Sequence, residues 1–137
     1  MYAMILSRSC LRNWRLYYSS GADANLHRHL SALDELRAYL QENYARPISL
    51  EDMALRMHMS KYHFARLFQA YAHTSPYAYL TDLRINAARE MLHMSDASVH
   101  EIGEQVGFGD CNTFIRLFKK RCGVTPARYR QIWRGRG

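Results

Sequence analysis

With 137 residues, 48% hydrophobic and 23% charged, the chain amounts to one domain or two very small ones and can bury a real core. Its formal net charge of +7 favours an anionic partner, either nucleic acid or an acidic membrane surface. The three cysteines, Cys10, Cys111 and Cys122, suit neither a disulfide framework nor a zinc site, and no apolar run approaches membrane-spanning length.

Residues 1–24 carry weak signals. Leu11, Trp14 and Tyr18 share one helix face, and Arg8, Arg12 and Arg15 stand without an acid, loosely like a transit peptide. "SSGADA" then breaks the pattern, so the first ordered helix is expected from about Asn25. From there Leu26, Leu30, Leu33, Leu36 and Leu40 form a helical stripe that Pro47 stops. His27 and His29 lie two positions apart on this helix, diverge by about 200° and make a poor chelate.

Beyond Pro47 the chain repeats itself. "SLEDMALRMHMSKYHFARLFQAYAHTSPYAYL" begins at Ser49 and "SVHEIGEQVGFGDCNTFIRLFKKRCGVTPARYR" at Ser98, with an offset of 49 that becomes 50 after one inserted residue. Met53 then matches Ile102, Ala54 matches Gly103, Phe64 matches Phe114, Arg66 matches Arg116, and Tyr79 matches Tyr129. Each copy reads as a short helix, a tight turn and a second helix, which is a helix-turn-helix. Glu51, Asp52 and Glu101 sit at the positive end of a first helix. Ala54 and Gly103 are small where two helices cross, Gly107 suits a left-handed turn, and Ser60 and Asp110 are suited to cap the next helix. There Phe64, Leu67, Phe68 and Tyr71 have the spacing of a core face.

Between the copies, "TSPYAYLTDLRINAAREMLHMSD" reads as one long helix, capped by Thr74 or Ser75, with Pro76 first and a stripe of Leu80, Leu83, Ala87, Met91 and Leu92. The boundaries expected are a first module at 25–73, a linker helix at 75–93, a second module at 97–133 and a basic tail at 134–137. The last acid is Asp110; Arg116, Lys119, Lys120, Arg121, Arg128, Arg130, Arg134 and Arg136 follow it. Such a block suits a polyanion, and a solvated basic tail is the alternative. Helical hairpins with no DNA role also fit the periodicity alone.

"VGFGDCNTFIRLFKKRCGVTPARYR" carries the most diagnostic resemblance. Gly107-Phe108, Phe114, Arg116, Phe118-Lys119-Lys120, Gly123 and Thr125-Pro126-x-x-Tyr129 stand in the order and spacing of the AraC/XylS family of bacterial transcription regulators. The chain resembles that family's DNA-binding domain over about residues 27–133. The resemblance implies an all-α fold of about seven helices, homeodomain-like, with two helix-turn-helix modules joined by the linker helix. It also implies that the second helix of each module enters one of two successive major grooves. His58 departs from the family's turn glycine, and His73 stands opposite Gly123, which predicts a strained and less rigid first module. The short stretch before the first expected helix is too small for a ligand-binding barrel, as in the family's stand-alone members or a piece of a longer regulator.

On the faces opposite the aromatic stripes, Tyr62 aligns with Asn112, Ala65 with Ile115, Arg66 with Arg116, and Gln69 with Lys119. The expected base contacts are Tyr62, Ala65, Arg66, Gln69, Cys111, Asn112, Ile115 and Arg116. Arginine suits guanine O6 and N7, Asn112 and Gln69 suit adenine, and Ala65 and Ile115 suit thymine methyl groups. Lys61, Thr113, Lys119, Lys120 and Arg128 are the expected phosphate contacts. Phosphate clamps or internal salt bridges are the alternatives for the arginines, a satellite core position for Ile115, and a redox-sensitive thiol or bystander for Cys111. No glycine-rich phosphate loop or nucleophile–base constellation occurs, so neither enzyme activity, metal nor cofactor is expected. The expected function is a cytoplasmic, sequence-specific DNA-binding regulator, an activator, that binds double-stranded DNA as a monomer and has RNA polymerase as protein partner. The competing reading is an interaction module for RNA polymerase or another regulator with little specific DNA affinity, and a weakened turn at His58 would favour it.

Overall fold

The structure, a computed structural model, describes residues 21–135. The expected face of Leu11, Trp14 and Tyr18, together with Arg8, Cys10, Arg12, Arg15 and Arg136, lies outside these residues. Among the described residues there are seven helices and no strand: α1 (Gly21–Asn43), α2 (Leu50–Arg56), α3 (Lys61–Ala72), α4 (Pro76–Met94), α5 (Val99–Gln105), α6 (Cys111–Cys122) and α7 (Pro126–Gly135). The fold is all-α, as expected. α1 takes in "GADA", which was expected to break the helix; its alanines are the strongest helix formers. α7 runs through the first two of the four residues assigned to a tail.

Contacts divide the chain into two compact units. One holds α1, α2, α3 and the start of α4 through Thr81; the other holds Tyr44–Pro47 and the described chain from Asp82 onward.

In the first unit the leucine stripe of α1 is buried throughout. α2 starts with a reciprocal cap: the Asp52 amide donates to Ser49 Oγ at 3.0 Å, and the Ser49 amide to the Asp52 carboxylate at 2.9 Å. His58 makes the turn at φ 56°, and Ser60 caps α3. The Phe68 ring meets Phe64, Tyr71 and Tyr79 at centroid distances of 5.5 to 5.9 Å, a close-packed aromatic centre. The buried Tyr71 hydroxyl donates to Asp34 at 2.6 Å. Burial first, and then that acceptor, push its pKa far up, so it stays protonated.

The second unit repeats the plan. Ser98 and Glu101 form the matching capping box, and Asp110 caps α6 through the amides of Asn112 and Thr113. Gly103 is required by packing, since a Cβ there would lie 2.8 Å from the Phe114 ring. Ile85, Ala88, Leu92, Ile102, Val106, Phe108, Phe114, Leu117 and Phe118 make the core. α4 therefore differs from the expected stripe: Ile85 and Ala88 are buried, whereas Ala87 and Met91 only border the core. Arg84 is also buried, because its Nε donates to the Tyr44 carbonyl at 2.7 Å and its Nη2 to the Arg46 carbonyl at 3.0 Å. Ser75, not Thr74, caps α4 by accepting from the Ala78 amide.

Candidate nucleic-acid interface

α3 and α6 are 12 residues each, and their first nine positions run through burial and exposure in the same order. Phe64, Leu67 and Phe68 point inward in one helix, and Phe114, Leu117 and Phe118 in the other. At about 100° per residue, Tyr62, Arg66 and Gln69 fall within roughly 60° of arc opposite that core, as do Asn112, Arg116 and Lys119. All six are exposed, Tyr62 at 71%. Lys61 and Ala65 flank the first group half-buried, and Cys111, Thr113 and Ile115 flank the second. Ile115 is not among the residues packed against the second unit's core, and Lys120 and Arg128 are exposed.

The caps lock these faces in place. Thr113 is bound at both its amide (3.2 Å) and its hydroxyl (2.8 Å) to Asp110, so its hydroxyl proton already has an acceptor. The Thr113 hydroxyl first, and then its amide, hold the Asp110 carboxyl below the usual carboxylate range. Among the described residues, Arg66, Arg116, Lys119 and Lys120 have no acidic partner within ion-pair distance.

Lys61 is different. Its ammonium lies 3.4 Å from Glu51 Oε1 and 5.4 Å from the centre of the Tyr62 ring. The basic block is also thinner than its sequence suggests. Arg121 pairs with Asp82, Arg130 donates to the Leu92 and Ser95 carbonyls, and Arg134 is bound to Asp96 and the Ser95 carbonyl. These three tie the second unit together, leaving Arg116, Lys119, Lys120 and Arg128 pointing outward. Cys122 is half-buried, and burial raises its thiol pKa, which disfavours a reactive thiolate. No described helix is long and apolar enough to cross a membrane. Nor do three His, Cys, Asp or Glu side chains among the described residues gather into a metal-binding group.

Sequence reasoning treated Glu51 only as a helix-end charge and passed over Arg84. For Glu51 no spacing signal existed, because its partner stands 10 residues on, across the turn.

The family described as a helix-turn-helix domain matches residues 53–132, more than half of the chain. The chain belongs to the AraC/XylS family of transcription regulators. This AraC/XylS chain is 37% identical over 99 residues to the MmsAB operon regulatory protein of Pseudomonas aeruginosa, covering 72% of this chain and 32% of that protein. It spans about a third of the length of the curated relatives it matches. The DNA-binding domain of AdpA, a global transcriptional factor solved with a target DNA, superposes with a TM-score of 0.74 at 31% identity, covering 76% of this chain and 94% of that one. An AraC-type regulator from Chromobacterium violaceum superposes at 0.67 with 29% identity, over 76% of this chain and 93% of the other.

Proposed function

We propose that this AraC/XylS chain is a sequence-specific DNA-binding transcription regulator whose α3 and α6 read two adjacent major-groove segments. The observation that carries the reading is the pairwise correspondence of Tyr62 with Asn112, Ala65 with Ile115, Arg66 with Arg116 and Gln69 with Lys119 on two equally exposed helix faces. Arg66 and Arg116 are the principal base readers, each bidentate to a guanine. Asn112 and Gln69 address adenine, Ala65 and Ile115 meet thymine methyl groups, and Tyr62 and Cys111 complete the base-facing sets. Lys119, Lys120 and Arg128 hold phosphates and contribute affinity common to all sequences. Lys61 and Thr113 belong to the same phosphate-facing rim, each already engaged by a neighbouring carboxylate. The protein acts in the cytoplasm as an activator, one copy per site, with RNA polymerase as its protein partner.

Selection of a preferred duplex from a random pool, followed by Arg116→Ala, tests the reading. The variant should lose about 1–3 kcal/mol on the selected site and relax the preference at one base position. Equal weakening on every sequence would make Arg116 a phosphate contact and remove the base-reading role.

A further inference from the structure

We propose that Glu51 sets the sequence-independent DNA affinity of the first module by cancelling the positive charge that Lys61 offers to the phosphate backbone. The inference rests on the DNA-binding reading and adds an acidic residue to it. Lys61 is the first residue of α3, where a lysine is placed to meet a phosphate beside the base-reading residues. Its ammonium is instead 3.4 Å from Glu51, with both side chains partly exposed, at 43% and 65%. The Glu51 backbone amide first, and then Lys61, hold this carboxyl below the usual carboxylate range, so it is charged throughout the neutral region.

The second module lacks the device. The residues matching Glu51 and Lys61 are His100 and Cys111, and His100 lies 3.1 Å from Glu104 instead. α6 presents Arg116, Lys119 and Lys120 without acidic partners among the described residues, whereas α3 presents only Arg66 besides Lys61. One carboxylate therefore offsets one of the two cations, Lys61 and Arg66, that α3 presents.

An exposed ion pair is too weak to lock the ammonium away from a phosphate. The carboxylate nevertheless stays within a Debye length of about 8 Å and repels the phosphate that Lys61 would meet. Attraction and repulsion then nearly cancel, whatever the base sequence.

The test uses the full chain, the selected duplex and a scrambled duplex of equal length, titrated between 50 and 200 mM salt, roughly the range over which phosphate contacts are read. Glu51→Gln should bind both duplexes about threefold more tightly at the low end and steepen the slope of log K against log salt by about 0.9, the signature of one more phosphate contact. Lys61→Gln alone leaves the carboxylate unopposed and should weaken binding to both duplexes by about threefold at the low end, and the double variant should return to near the wild-type level. Melting temperatures should confirm that each variant folds. Unchanged binding by Glu51→Gln, or a double variant that does not return to near the wild-type level, overturns the inference and leaves the DNA-binding reading standing. A wild-type protein that binds neither duplex overturns both.

Discussion

Four of the described residues hold left-handed backbone: His58 at φ 56°, His73 at 59°, Gly107 at 107° and Gly123 at 83°. The histidines sit in the narrow well that an L-residue can enter, so the first module's turn keeps its geometry without glycine. Gly107 lies well outside that well, and a Cβ there would stand 3.0 Å from both Cα and the carbonyl oxygen of Ala45. His58→Gly should therefore stabilise the fold by about 1 kcal/mol or less, because relief of strain is partly offset by the freedom glycine gains when unfolded. Gly107→Ala should destabilise by about 2 kcal/mol or more. Thermal melts of the two variants check both, and a lower melting temperature for His58→Gly refutes the first. That a turn falls at these positions was legible in the repeat. Which of them tolerates a side chain was not, since Ala45 approaches Gly107 from a distant part of the chain.

At the scale of elements, the N-caps of α2 to α6 follow from short-range sequence. Ser49-x-x-Asp52 and Ser98-x-x-Glu101 carry the capping-box spacing, beyond the helix-end charge that the acids show by themselves. Ser98→Ala should cost about 1 kcal/mol, measurable by denaturant titration. Asp52 is held below its usual pKa by the Ser49 amide, and Asp110 by Thr113. A depressed carboxyl stabilises the fold fully above the ordinary carboxylate range, and that contribution disappears as pH falls through its lowered value. The melting temperature should therefore drop as pH goes below about 4, and less steeply in Asp110→Asn, which keeps an acceptor but does not titrate. The face of α4 was less legible. Ala87 and Met91 are as apolar as Ile85 and Ala88, and only the opposing core chooses between them. Arg84 reads as a surface residue until the carbonyls of Tyr44 and Arg46 supply its acceptors.

For the whole molecule, net charge overstates what a polyanion can meet. Arg130→Gln should lower stability by about 1–2 kcal/mol while leaving the salt slope of DNA binding unchanged, because its guanidinium serves the Leu92 and Ser95 carbonyls. Lys120→Gln should do the reverse, flattening the slope by about 0.9 without moving the melting temperature. A matched effect of both variants on the slope would mean that the arginine leaves its carbonyls when DNA arrives. The duplicated sequence suggests a cassette that can be cut out and transplanted, yet the second unit takes Tyr44–Pro47 from a stretch preceding the first copy. An excised fragment starting at Pro76 would contain a complete helix-turn-helix and still lack the Tyr44 and Arg46 carbonyls to which Arg84 donates. Chimeras that exchange second halves among AraC/XylS relatives should therefore carry those four residues with them, a graft of two pieces rather than one.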